Sequence, residues 1–156
     1  MGIDLSIIWF VIIVFATLMY IVMDGFDLGI GILFPFNKNE KERDMMMNTV
    51  APVWDGNETW MVLGGAALYG AFPLAYAVIV DALSVPLTAM LLGLIFRGVA
   101  FEFRFKATPE HRPLWDKAFI GGSVLATFSQ GVAVGTLVNG LQVTGRAFSG
   151  STMDWL

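Results

Sequence analysis

The chain has 156 residues, 56% of them apolar and only 14% charged, with a mean hydropathy of +0.71 and a net charge of −4. About 25% charge is usual in a soluble domain, and a chain this small cannot hide so much apolar surface from water, which excludes a soluble enzyme or a disordered module. With 9 Lys+Arg against 13 Asp+Glu there is no basic footprint for nucleic acid, and the absence of cysteine excludes disulfide scaffolds, zinc-thiolate sites and iron–sulfur ligation by this chain. The natural solvent is a bilayer, and the expected class is all-α and polytopic.

The first apolar block, residues 6–35, exceeds the roughly 20 residues that cross a bilayer. Its flank MGIDLS has no positive charge and no small-residue cleavage site follows, so it reads as an uncleaved span. A charged loop, NKNEKERD, covers residues 37–44. The second block, residues 59–101, would be roughly 64 Å long as one helix, twice the ~30 Å hydrocarbon core. It must therefore be two spans, near 57–79 and 83–102, reversing around Asp81, Ser84 and Pro86, with Pro73 as a tolerable kink. Pro52 suits a first helical turn, with Asn48 or Thr49 as its N-cap. After a polar stretch at 103–117 comes a fourth span, 118–139, then a Gly/Ser-containing polar tail. The expectation is a single membrane domain, 1–156, with four transmembrane helices.

Lys38, Lys41 and Arg43 lie in the loop at 37–56, and Arg104, Lys106, Arg112 and Lys117 in that at 103–117, which makes both loops cytoplasmic and both chain ends external. Trp9, Trp54, Trp60 and Trp115 fall near span ends, as an interfacial belt requires. Gly25/Gly29 and Gly131/Gly135 have the four-residue spacing that lets helix backbones approach.

The informative residues are charges in the wrong solvent, since a carboxylate at a helix centre costs roughly 2.5–3.5 kcal/mol. Asp24 and Asp27, in MDGFDLG, share one helix face. Two acids there call for a proton, a cation or a basic partner. In APVWDGNETW, residues 51–60, Trp54, Asp55 and Glu58 share a face at the membrane border, although acids in a first turn also complement the helix dipole. Asn57-Glu58-Thr59 is formally a glycosylation sequon, a chance match on a cytoplasmic loop. Arg97 either snorkels to the cytoplasmic surface or pairs with Asp24, Asp27 or Asp55, and Asp81 reads as a solvated turn residue. Haem ligands are scarce, because His111 is the sole histidine and lies in a loop, and Met45–Met47 adjoin a charged one. No metal site of the chain's own is expected. Read from residues alone, four spans with paired acids also fit half of a cation-coupled transporter, with Asp24 and Asp27 binding Na⁺ or H⁺, or a pure assembly subunit.

The strings MDGFDLGIG, MMMNTVAPVWDGNETWMVLGGAALYGAFPLAYA, LLGLIFRGVAFEFRFK and WDKAFIGGSVLATFSQGVAVG closely resemble subunit II of cytochrome bd-type quinol oxidases, the cyanide-insensitive branch most nearly, from about residue 5 to 156. Family members are roughly twice as long, built as two pseudo-symmetric four-helix halves, so the chain is expected to correspond to the first half. The resemblance implies a bacterial cytoplasmic (inner) membrane complex of the respiratory chain that oxidises quinol and reduces dioxygen to water. Its two b-type haems and one d-type haem sit in subunit I, the partner expected to carry catalysis. Subunit II flanks that core, supports proton delivery and can hold a quinone.

The resemblance makes Asp55 of W-D-G-N a proton-pathway residue and Trp54 a quinone contact. It makes Asp24 and Asp27 polar contacts to the haem region or a cation, and Arg97 and Glu102 match its R-x-x-x-F-[DE] stretch, with Glu in place of Asp. The proton-pathway set is thus Asp55, Glu58, Asp24, Asp27 and Glu102, with Arg97 as the charge-pairing residue.

Overall fold

The structure, a computed structural model, describes residues 4–151 together with Met153 and Trp155. The first residues of MGIDLS and part of the tail's tip, including Asp154 and Leu156, lie outside the described residues. The elements are α1 (Leu5–Leu33), a 3₁₀ turn (Phe34–Phe36), α2 (Glu40–Val50), α3 (Trp54–Ala71), α4 (Pro73–Ala82), α5 (Ser84–Lys106), α6 (Arg112–Asn139) and a two-stranded hairpin of β1 (Val143–Thr144) and β2 (Ala147–Phe148). Asp4 caps α1, accepting from the Ser6 N–H at 2.9 Å, and its hydrogen bonds with Ser6 hold its carboxyl below the usual range.

Among the described residues, three helices are long and apolar enough to cross a membrane: Leu5–Phe36, Ser84–Lys106 and Arg112–Asn139. The expected second span is broken instead. Phe72 leaves the helical region (φ −136°, ψ 63°) because Pro73 cannot donate a backbone N–H and crowds the residue before it, and α4 restarts at Pro73. Two other expectations are corrected. The charged loop is helical from Glu40 onward, capped by Asn39, which accepts from the Lys41 N–H at 3.0 Å, with Glu40 and Glu42 in the first turn. Asn48 and Thr49 lie inside that helix, so α3 begins at Trp54 rather than at Pro52.

Helices α5 and α6 form the tightest pair, and α1 packs antiparallel against α3 and α6. A Cβ on Gly93 would stand 2.7 Å from the Gly122 carbonyl oxygen, and one on Gly122 only 2.9 Å from the Arg97 backbone nitrogen, so this crossing needs glycine on both sides. The pairs expected from spacing, Gly25/Gly29 and Gly131/Gly135, have nothing of the chain within 4 Å of a would-be Cβ. Spacing shows which residues share a face, but not what covers that face.

The apolar core is small. Phe34, Met47, Val50, Ala100, Phe101 and Phe119 cluster at the end where α1 and α5 finish and α3 and α6 begin, and Leu28, Met90, Leu94 and Ala126 lie further along the bundle. Most of α1 is uncovered, with Phe10, Val11, Phe15, Leu18, Val22 and Phe26 all more than half exposed. Such a surface suits lipid or a second subunit, not water.

Candidate functional site: a buried charge cluster

Arg97 and Asp27 are fully buried and Asp24 is 1% exposed, which demands mutual compensation. Asp24 and Asp27 come from one face of α1, Arg97 from α5 and Glu58 from the second turn of α3. The Arg97 guanidinium donates to Asp24 through Nη1 at 3.2 Å, stands 3.8 Å from Asp27 Oδ2 and 3.5 Å from Glu58 Oε1, and lies over the Phe101 ring at 5.4 Å. The two longer approaches are ionic contacts without hydrogen-bond geometry. Asn57, buried, donates to Asp27 Oδ2 at 2.8 Å, and Gln130 of α6 donates to Tyr20 at 2.6 Å and to Asp24 Oδ2 at 3.4 Å.

The structure brings together four of the residues singled out in the sequence: Asp24, Asp27, Glu58 and Arg97. It corrects the pairing of Arg97, since Glu58 rather than Asp55 completes the set. Asp55 and Glu102 are exposed and line an open cleft with Trp54, Gly98 and Glu58. Glu102 pairs with Lys106 one turn on. Trp54 stacks on Phe101, with ring centroids 5.3 Å apart, and covers Gly98. Glu58 therefore belongs to both regions, facing the cleft and reaching Arg97. Asp81 is exposed but lies within α4, one residue before its end, rather than in the turn. The Asn57 sequon is spent on Asp27.

Sequence reasoning missed Asn57, Tyr20 and Gln130, which look unremarkable until a buried acid is placed beside them. It also missed a second cluster. Arg104 binds both Asp116 and Asp44, while Arg43 binds Asp116 at 3.0 Å and the Asn37 carbonyl oxygen at 2.6 Å. Both guanidiniums lie over the buried Phe34 ring, at 5.3 and 5.5 Å. The available signal was Asp116 in the early turns of α6 beside a basic stretch, which dipole complementarity also explains.

Among the described residues, neither the one histidine nor the buried Met47 is placed as a haem ligand. His111 sits in the loop before α6, hydrogen-bonded to Thr108 at 2.8 Å, and Met47 is packed in the core with Phe34. Among the described residues no group of three His, Cys, Asp or Glu side chains is arranged to hold a metal ion.

Residues 5–156 match the family described as cytochrome bd terminal oxidase subunit II. The chain belongs to that family. It is 35% identical over 97% of its length to a probable cytochrome oxidase subunit 2 of Haemophilus influenzae, of which the match covers 42%. It is 37% identical to the cytochrome bd-I ubiquinol oxidase subunit 2 of Escherichia coli, over 88% of this chain and 37% of that protein. Identity to the cytochrome bd ubiquinol oxidase subunit 2 of Bacillus subtilis is 36%, over 87% of this chain and 41% of that one. The chain thus spans about two-fifths of the length of the relatives it matches.

Proposed function

We propose that this chain serves in subunit II of a bacterial respiratory quinol:dioxygen oxidoreductase, and that its acids deliver protons from the cytoplasmic side to a haem-bearing subunit I. The carrying observation is the position of Glu58. It links the exposed acids of the cleft, Asp55 and Glu102, to the buried pair Asp24 and Asp27 around Arg97. Reducing dioxygen to water consumes protons and hydrocarbon conducts none, so acids graded from exposed to buried supply what the reaction needs. On this reading the two b-type haems and one d-type haem sit in subunit I, where the redox chemistry takes place. Trp54, at the cleft rim, is the quinone contact. The broken pair α3–α4 counts as the second of four spans, the Arg43–Arg104 end faces the cytoplasm of a cell bounded by the inner membrane, and both chain ends face outward. What supports this orientation is the basic residues gathered at that one end.

The transporter reading is weaker, because Arg97 already occupies the place a coupling cation would take between Asp24 and Asp27. The test is co-purification of the tagged chain with subunit I, read by the reduced-minus-oxidised haem spectrum, followed by Asp55→Asn. The expected result is a d-type haem band that travels with the tag, and slowed turnover in Asp55→Asn with that spectrum intact. Wild-type turnover in Asp55→Asn would remove Asp55 from the pathway.

A further inference from the structure

We propose that the acids of the buried cluster have different jobs: Asp24 is the fixed counter-ion of Arg97, held in that role by Gln130 and Tyr20, while Asp27 and Glu58 hold and exchange protons. This rests on the relay reading above and assigns roles within it.

The argument is one of counting donors. One guanidinium faces three carboxyls, and a buried site does not carry the two negative charges that full ionisation would leave uncompensated. Only one acid has an N–H donor on each oxygen. Asp24 Oδ1 accepts from Arg97 Nη1 at 3.2 Å and Oδ2 from Gln130 Nε2 at 3.4 Å. An ionised carboxylate only accepts, so this is the environment of the anion. Asp27 differs: Oδ2 accepts from Asn57 and stands 3.8 Å from Arg97 Nη2, but the fully buried Oδ1 has no donor. Glu58 Oε1 also has no hydrogen bond, and its side chain is 20% exposed. A buried, donor-free oxygen is costly on an anion and tolerable on a carboxylic acid. One cation, one anion and two neutral acids leave the cluster without net charge.

Gln130 is what distinguishes the acids, and Tyr20 orients it. The amide nitrogen lies between two acceptors, Tyr20 Oη at 2.6 Å and Asp24 Oδ2. Turning the amide over would set its oxygen against the carboxylate. The charged and titratable groups around Asp24 are Tyr20 and Asp27 from α1, Glu58 from α3 and Arg97 from α5, with the Asn57 amide on α3 and Gln130 on α6 beside them. Both Gln130 and Tyr20 are therefore positioning residues, acting through Asp24.

The test is the pH profile of quinol oxidation by the complete oxidase carrying Tyr20→Phe or Gln130→Leu. Gln130→Leu removes the second donor from the Asp24 carboxylate, and Tyr20→Phe removes the acceptor that holds that donor in place, so the cluster should take up a further proton more readily. The acidic limb should therefore move up by about one pH unit, a tenfold change in proton affinity, with the alkaline limb and haem spectrum unchanged. Tyr20→Phe deletes a single oxygen and serves if Gln130→Leu does not assemble. An unmoved acidic limb, or a uniform loss at every pH, overturns the proposal. The relay reading fails differently, by wild-type turnover in both Asp27→Asn and Glu58→Gln.

Discussion

Arg97 and Arg104 lie seven residues apart on α5, two turns or about 10 Å along the axis, and each anchors a charge cluster. The outer cluster is balanced, with Arg43 and Arg104 set against Asp44 and Asp116 and Phe34 between the guanidiniums. It ties α2, α5 and α6 to the turn after α1, and three of its four side chains keep some access to solvent. The inner cluster is unbalanced, with one arginine for three acids and with buried oxygens and guanidinium nitrogens that lack hydrogen bonds. A fold has no need of the second arrangement, since apolar residues of similar size often stabilise as well or better. On the proposed function, the difference separates a clamp from a site.

The contrast can be broken at its centre by Arg97→Gln. Removing one partner of a buried pair costs about 3–5 kcal/mol, here by stranding Asp24, and the yield of haem-bearing complex after mild extraction should collapse. Glu58→Gln sharpens the contrast. Turnover per haem should fall about 100-fold, the size of a lost proton-transfer group, while the melting temperature stays put. Asp116→Asn is its mirror image: Arg43 and Arg104 lose a shared acceptor, stability falls by about 2 kcal/mol in a thermal melt, and turnover per assembled complex is unchanged. Smallest of all is Lys106→Ala, which removes an exposed pair with Glu102 and should change stability by no more than about 0.5 kcal/mol.

The inner cluster was largely legible in the sequence because charge in a bilayer is costly, so Asp24, Asp27 and Arg97 stand out against their apolar neighbours. Glu58 was legible too, but its partner was not, since Asp55 and Glu58 lie on one face of α3 and only the packing of α1, α3 and α5 decides which reaches Arg97. Hydropathy hides what is polar and helical at once. It rendered α2 as a loop, though Asn39 before Glu40 and Glu42 is a capping pattern. It hid the outer cluster for the same reason, because charges at a membrane border are expected there whether or not they pair. The Gly93–Gly122 crossing was invisible because closeness between helices is a property of two faces, and spacing reports one. The break at Phe72 follows from Pro73, which the sequence displays, but whether a proline kinks or interrupts depends on the packing around it.

The central claim, that the inner cluster moves protons and the outer one holds the fold, is tested most directly by proton uptake from the bulk. The fully reduced complete oxidase would be pulsed with dioxygen in the presence of a pH-indicating dye, comparing Glu58→Gln with Asp116→Asn. The account predicts slowed uptake in Glu58→Gln and a wild-type rate in Asp116→Asn. A wild-type rate in Glu58→Gln, or equal slowing in both, would contradict it.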